Sequence, residues 1–416
     1  MKRFRITIAV LTLAVFAATA AVSAITFLKS DEPEVVSVVK AADSEDGYTT
    51  FYVPDGENFE ILALTDTQVK YPLNNYETDY GGSNENTFTL VERLVEAADP
   101  DLVIITGDLV MSQFVNNMAY FRRYAELFEE LETYWAFTFG NHDAEWTVTD
   151  GAKAESTGLF QSPKSYVIEE LSVYEHCLTE AGDAADGGGT GNYVINVRGY
   201  DSSLIYSLFM MDCVNNGDEY LRYKSTEQVE WYERHIRTLN AAEYGENAEI
   251  AVKSMLFTHV PLPEFFEAYN IAAEGGDAEI VYGHYLEGNP ASKGFELCVM
   301  FDKILELGST SAVFAGHYHD NDFMVRYKGV DMVFVQHSGV AHYYRMDADD
   351  VKKQIDMSDI HTYGDERGGT VIDIGYDGEY RVSRFLAAEN VEYDDIKIDY
   401  DAVANDLKDR GWEVDG

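Results

Sequence analysis

Short apolar runs alternate with amphipathic segments along most of the chain. Seven of the runs are predicted to be strands: FEILALT, DLVIITG, YWAFTFG, YVINVRG, SLIYSLFMMD, VKSMLFTH and SAVFAGH. Between them, helical periodicity predicts helices near residues 86–98, 116–132, 225–241 and 293–307. Strands that alternate with helices predict an α/β fold with a partly parallel sheet. Because these strands are apolar almost throughout, we expect both faces of the sheet to be covered.

The pattern changes toward both ends of the chain. After residue 320, two segments are predicted to be hairpins that turn at YKGV and YDGE. We therefore predict one domain over residues 56–395, preceded by an acidic linker at 29–55 and followed by an acidic tail at 396–416.

Residues 1–28 resemble a targeting segment. A basic start is followed by an apolar run and by the small residues Val22-Ser23-Ala24, which together predict a cleaved secretory signal peptide. The apolar run continues to Leu28, and about 20 apolar residues can span a bilayer, so an uncleaved membrane anchor is the alternative. Either reading predicts a secreted or cell-surface location.

The charge of the chain restricts its partners. The formal net charge is -44, from 30 basic and 74 acidic side chains. Such a surface repels polyanions over roughly a Debye length, about 8 Å at physiological salt. The charge argues against nucleic acid as a bulk partner, but a small anion can still bind where cations lie in a pocket.

Five motifs follow apolar strands and carry the chemistry. They are Asp66-Thr67-Gln68, Gly107-Asp108, Gly140-Asn141-His142-Asp143, Thr258-His259 and Gly316-His317-Tyr318-His319. The carboxyl ends of strands gather at one edge of an α/β sheet, so we expect these side chains to converge. Carboxylates, an amide oxygen and imidazoles are ligands for divalent or trivalent metals. Two metals about 3.5–4 Å apart need a bridging carboxylate, for which Asp108 is the natural candidate.

This ordered set resembles the calcineurin-like metallophosphoesterase superfamily, in its secreted phosphatase branch, over residues 60–340. The resemblance implies a two-sheet αββα sandwich with a dinuclear metal site at the strand ends. It implies that the first metal is held by Asp66 and His319, the second by Asn141, His259 and His317, and that Asp108 bridges them. It further implies that His142 protonates the leaving group or steadies the phosphoryl oxygens, and that Asp143 orients His142. From the residues alone, Asp143 could equally cap the turn that follows.

Gln68 departs from the family pattern, which has histidine at this position. The glutamine could ligate through its oxygen, hydrogen-bond a metal-bound water, or leave the first position weakly occupied. Purple acid phosphatases also lack this histidine, but they supply a tyrosine three residues after the Gly-Asp aspartate. That position is Met111 here, so an iron–tyrosinate arrangement is not predicted.

The expected activity is hydrolysis of a small phosphorylated substrate, most simply a phosphomonoester, by a bridging hydroxide at two metal ions (Mn, Fe, Zn or Mg). A phosphodiesterase or nucleotide hydrolase on the same site is the first alternative. A non-catalytic surface binding protein that retains the scaffold is the second. Outside the motifs, His284 and His337 are candidates for substrate contact, although a structural role is the simpler interpretation.

Overall fold

The computed structural model describes residues 35–70, 83–111, 117–144, 163–182, 189–212, 226–245, 250–286, 299–340, 354–356 and 366–397, together with Asn405, Lys408 and residues 413–415. The predicted signal peptide or anchor at 1–28 lies outside these residues. Within the described residues, no helix is long and apolar enough to cross a membrane.

In the part of the chain that the structure describes, the larger sheet has nine strands in the order β1-β2-β8-β9-β10-β12-β14-β13-β11. In chain order its strands are β1 (Ser37–Val39), β2 (Thr49–Val53), β8 (Tyr193–Gly199), β9 (Leu204–Met211), β10 (Ser254–Thr258), β11 (Ala278–Tyr282), β12 (Thr310–Ala315), β13 (Met324–Tyr327) and β14 (Val330–Phe334). Its centre is parallel, because β9, β10, β12 and β14 run in one direction. The predicted YKGV hairpin is confirmed as the antiparallel pair β13–β14.

The smaller sheet has the order β17-β16-β3-β5-β7. Its strands are β3 (Phe59–Leu64), β5 (Leu102–Ile105), β7 (Trp135–Phe137), β16 (Gly368–Ile374) and β17 (Tyr380–Leu386). Strands β3, β5 and β7 are parallel, and β16–β17 is the second predicted hairpin. Two short pairs complete the strands: β4 (Val69–Lys70) with β6 (Val110–Met111), and β15 (Gln354–Asp356) with β18 (Glu413–Asp415).

Helices cover the outer faces of both sheets. They are α1 (Ser83–Ala98), α2 (Met118–Glu130), α3 (Lys164–Leu171), α4 (Thr226–Tyr244), α5 (Glu264–Ala273), α6 (Met300–Leu307) and the short α7 (Ala387–Asn390). Side chains of α1, α2, α3 and α7 pack on the smaller sheet, and those of α4, α5 and α6 pack on the larger one. The predicted two-sheet α/β sandwich is therefore confirmed.

The apolar strands follow directly from this layering. Along β3, Ile61 and Ala63 face the core between the two sheets, while Leu62 and Leu64 face the helical layer. Every one of these side chains is fully buried. A strand that is covered on both faces favours apolar residues at successive positions, which is why the apolar-polar alternation is lost.

Two parts of the predicted domain boundaries differ from the structure. Residues 37–53, which the sequence assigns to an acidic linker, form β1, a 3-10 turn and β2, and Phe51 is buried between the sheets. Strand β2 pairs with β8, which lies far along the chain, so its environment could not be read locally. In the predicted tail, Ile396 packs beside the smaller sheet and β18 pairs with β15.

Candidate metal centre

The five motifs meet where the two sheets come together. Asp66, Asp108 and Asn141 follow the parallel strands β3, β5 and β7 of the smaller sheet. His259 and His317 follow the parallel strands β10 and β12 of the larger sheet. The carboxyl ends of both sheets thus supply one cluster of side chains, as expected for an α/β fold.

Backbone contacts join the two sheets at this edge. Thr65 forms an isolated parallel bridge with His337, which follows β14. The Ser338 amide donates to the Thr65 carbonyl at 3.0 Å, and the Thr65 amide donates to Ser338 Oγ at 3.1 Å. These bonds fix the first motif relative to the larger sheet.

Several residues of the centre have a left-handed backbone. The φ angles are 51° for Asp66, 43° for Gln68, 51° for Asp108 and 76° for His317. Such angles are unusual for residues with a Cβ and cost free energy, so the surrounding structure must hold them in place. Strands β4 and β6 do part of this, since they pair directly after the loops that carry Gln68 and Asp108.

Glycines next to the ligands leave room for close approach. A Cβ built on Gly140 would lie 2.1 Å from Asp108 Oδ1 and 2.4 Å from the Asp108 amide nitrogen. One on Gly316 would lie 1.9 Å from Thr65 Oγ1 and 2.5 Å from Asp66 Oδ2. Both glycines are thus required by contact with a carboxylate of the centre.

At the candidate second metal position, several hydrogen-bond acceptor atoms lie close to the ring of His259. His259 is fully buried, and its Nδ1 lies 2.9 Å from the carbonyl oxygen of Thr106, so Nδ1 carries a hydrogen. Its Nε2 lies 3.1 Å from Asp108 Oδ2, 3.1 Å from Asn141 Oδ1 and 3.3 Å from His317 Nδ1. The ligand atoms of Asp108, His259 and His317 all lie within 4.8 Å of one another.

These atoms require a cation among them. In neutral His259, Nε2 presents a lone pair to two oxygens that are themselves acceptors, and the arrangement is repulsive unless a proton or a metal ion lies between them. Burial opposes protonation, but the carboxylates of Asp108 and Asp66 outweigh it and raise the pKa of His259 to about 9. Burial and His259 lower the pKa of His317 to about 3, which keeps its lone pair available. The donor set therefore fits a divalent metal ion.

The first metal position contains Asp66, Gln68 and His319. Asp66 Oδ2 accepts hydrogen bonds from Thr65 Oγ1 and from the His317 amide, both at 2.8 Å, and Oδ1 faces His319 Nε2 at 3.3 Å. Burial alone would raise the pKa of Asp66, but the imidazoles of His259 and His319 lower it. The carboxylate is thus ionised, as a metal ligand requires.

Gln68 is buried with the other residues of this position. Its Nε2 lies 3.1 Å from His319 Nε2 and 3.5 Å from Asp108 Oδ2. Its Oε1 is buried and accepts no hydrogen bond from the residues that the structure describes. Met111, where a purple acid phosphatase would have tyrosine, is buried in β6.

His142 lies at the rim of the cluster. Its side chain is 18% exposed, and its Nε2 lies 3.9 Å from Asp108 Oδ2. The His142 amide donates to Asp108 Oδ1 at 2.7 Å. Although burial opposes ionisation of Asp108, His259 and His142 lower its pKa, so this carboxylate, which contacts both His259 and Gln68, is in its charged form. Because the imidazole of His142 is partly exposed, solvent or a substrate can reach it.

Asp143 lies behind Asp108. Its Oδ2 accepts hydrogen bonds from the amides of Asp108 at 2.9 Å and Gly140 at 2.7 Å, and its Oδ1 accepts one from Val110 at 2.9 Å. Burial and the nearby Asp108 carboxylate raise the pKa of Asp143 to about 7. These contacts hold the backbone of the Asp108 loop and of Gly140, rather than the turn that follows Asp143.

Two residues outside the motifs support the centre or lie near it. The ring of His337 is buried, and its centroid lies 4.7 Å from that of His319. The buried guanidinium of Arg367 donates to His337 Nδ1 at 2.9 Å. His337 therefore packs against His319, whereas His284 has a side chain that is 63% exposed and lies 3.5 Å from Asp322. Arg367 was missed from the sequence, because RGG at the start of a strand carries no signal for a buried cation.

The fold and this donor set define a metal-dependent phosphoesterase centre. Residues 59–321 match the family model described as calcineurin-like phosphoesterase, which is more than half of the chain. The chain belongs to this family, and hydrolase chemistry at a dinuclear metal site is the character of the family.

The curated proteins that are similar to this chain are distant from it in sequence. The chain is 24% identical over 283 residues to the Arabidopsis thaliana protein named "Probable inactive purple acid phosphatase 14", covering 63% of this chain and 64% of the relative. It is 24% identical over 254 residues to Phosphatase DCR2 of Saccharomyces cerevisiae, covering 59% of this chain and 40% of the relative. The chain thus spans less than two thirds of the length of these relatives. A purple acid phosphatase from yellow lupin (Lupinus luteus) seeds aligns with a TM-score of 0.42 at 14% identity, covering 83% of this chain and 55% of that one.

Proposed function

We propose that this protein is a metal-dependent phosphatase that hydrolyses a small phosphate monoester. The observation that carries the proposal is the set of buried acceptors around His259, which needs a cation and lies beside a reachable imidazole, that of His142. Metal ions held there would supply Lewis-acid activation of the phosphoryl group and of water. They would also provide the positive charge that an acidic protein needs to bind an anion.

The residues of the chain divide the remaining work. Asp66, Asp108, Asn141, His259, His317 and His319 are the proposed ligands, with Gln68 beside them. Asp108 would contribute its carboxylate to both positions. His142 is placed to hydrogen-bond a phosphoryl oxygen or to donate a proton to the departing oxygen. Asp143 and the adjacent glycines fix the backbone that carries these groups.

Monoesters are preferred over diesters because the four curated relatives are named as phosphatases. The names of three Arabidopsis thaliana relatives include the word inactive, which makes a non-catalytic binding protein the rival proposal. The proposed donor set matches the family pattern at the other ligand positions and differs from it at Gln68. This match supports a catalytic protein.

The test is hydrolysis of generic substrates by the full chain after metal removal and reloading. Manganese, zinc, iron and magnesium would each be added before p-nitrophenyl phosphate or bis(p-nitrophenyl) phosphate. We expect turnover of the monoester with at least one metal and a kcat/KM at least about tenfold above that of the diester. A preference for the diester would replace the phosphatase with a phosphodiesterase. Absence of turnover with every metal, although metal binds, would favour the non-catalytic protein.

A further inference from the structure

The two metal positions differ in what already satisfies their acceptors. At the second position, His259 Nε2 meets Asp108 Oδ2 and Asn141 Oδ1 at 3.1 Å each, with acceptors facing acceptors. At the first position, the terminal amide of Gln68 lies between Asp108 and His319, at 3.5 Å and 3.1 Å. The first position also has two acceptors without a hydrogen between them, Asp66 Oδ1 and His319 Nε2 at 3.3 Å, but there a side-chain donor already contacts two of the proposed ligands.

The side-chain amide of Gln68 can donate hydrogen bonds to the acceptor atoms that a metal ion would otherwise bind. A primary amide nitrogen carries two hydrogens, so it can donate to Asp108 Oδ2 and to the lone pair of His319 Nε2 together. Turning the amide would place Oε1 toward the Asp108 carboxylate instead, oxygen against oxygen, which is unfavourable without a metal. A metal at the first position therefore has to break two hydrogen bonds that already occupy its ligands.

A histidine at position 68 would behave differently. A neutral imidazole has one ring nitrogen with a lone pair and can offer it to a metal without donating to both neighbours. An amide oxygen is also a poorer ligand for zinc or iron than an imidazole nitrogen. Gln68 thus weakens the first position in two ways, through competition and through ligand strength.

We propose that the centre holds one metal ion tightly, at the second position formed by Asp108, Asn141, His259 and His317, and that Gln68 keeps the first position weak. The inference deepens the proposed function, since it concerns the same centre. It is tested by counting metal ions, so that its failure is separate from a failure to find turnover.

The experiment measures the metal-to-protein ratio of the full chain. Protein stripped with a chelator would be incubated with excess Zn²⁺, desalted and analysed by elemental mass spectrometry, and calorimetric titration would give the affinity of each step. We expect one retained ion for the wild type and two for Gln68→His, whose second step is tighter by about tenfold or more. Gln68→Glu adds a ligand in the shape of the native side chain and should also retain two, which keeps the test open if Gln68→His does not fold.

Control variants assign the ions to their positions. Gln68→Met keeps the length of the side chain without its donors or its oxygen, and should retain one ion. Adding His319→Ala to Gln68→His should return the ratio to one, whereas His317→Ala in the wild type should lower it to less than one. A wild-type ratio of two or of zero would overturn the proposal. So would a ratio of one in both folded variants that add a ligand at position 68.

Discussion

At the scale of single residues, Asp143 shows how a buried carboxylate can stabilise the backbone around a metal centre. Its carboxylate accepts from the amides of Asp108, Gly140 and Val110, all within 2.9 Å, and it is fully buried. Asp143→Asn replaces one acceptor with a donor and leaves at least one buried amide unsatisfied. We expect the unfolding free energy to fall by about 1–3 kcal/mol and metal binding to weaken, because the Asp108 loop loosens.

The measurement is urea denaturation of the metal-free protein, followed by metal titration of the folded variant. His142→Asn is the matched control, since its side chain is partly exposed and its loss should leave the unfolding free energy unchanged. If Asp143→Asn kept full stability but altered the pH profile of kcat, Asp143 would instead act through the His142 ring.

Residue identities were largely accessible from the sequence, whereas their roles were only partly so. The ordered motifs placed Asp66, Asp108 and His259 at strand ends that do converge. Neither the left-handed backbone of Gln68 nor its contact with His319 could be foreseen, because both depend on residues distant along the chain. The support that Arg367 gives to His337 depends on packing in the same way.

At the scale of elements, parallel strands that are buried on both faces gave the clearest signal. All seven predicted strands are present, from β3 to β12. Helices α3 and α5 were not predicted, and neither were β1 and β2. The strand sequence TTFYV follows an acidic stretch and becomes a strand through its pairing with β8, a non-local contact that no local pattern contains.

The start of β5 carries a carboxylate whose ionisation the fold resists. Asp101 Oδ2 accepts from the Glu60 amide at 2.8 Å, and burial is the main cause that raises its pKa from 3.8 to about 6. Below its ordinary pKa, Asp101 is protonated in both states and costs nothing. As pH rises through the window from 3.8 to about 6, the unfolded state ionises first, so the unfolding free energy falls.

Asp101→Asn keeps an oxygen for the Glu60 amide and removes this cost. We expect the variant to be more stable than the wild type by roughly 1–2 kcal/mol near neutral pH, after allowance for solvent screening, and equal to it at about pH 3.5. Thermal or urea unfolding of the metal-free proteins across this range checks the prediction. A gain that is the same at both pH values would show that ionisation of Asp101 is not the cause.

At the scale of the whole molecule, the net charge of -44 sets the conditions for an anionic substrate. Salt screens the repulsion between the acidic surface and the approaching phosphate. We expect kcat/KM for a dianionic monoester to rise several-fold as ionic strength increases from about 10 mM to about 300 mM. The rise should be smaller for a monoanionic diester, which serves as the control. A decline of both with salt would indicate a local positive field that overrides the overall charge.

The most direct test of the account is the metal-reloaded activity of Asp108→Asn beside that of the wild type. In the proposed centre Asp108 contributes to both metal positions, and the substitution preserves its shape while removing its charge. We predict that kcat/KM for the best generic phosphate ester falls by about 100-fold or more and that bound metal decreases in the same variant. Equal turnover by wild type and Asp108→Asn, with equal metal content, would contradict the assignment of this cluster as the catalytic metal centre.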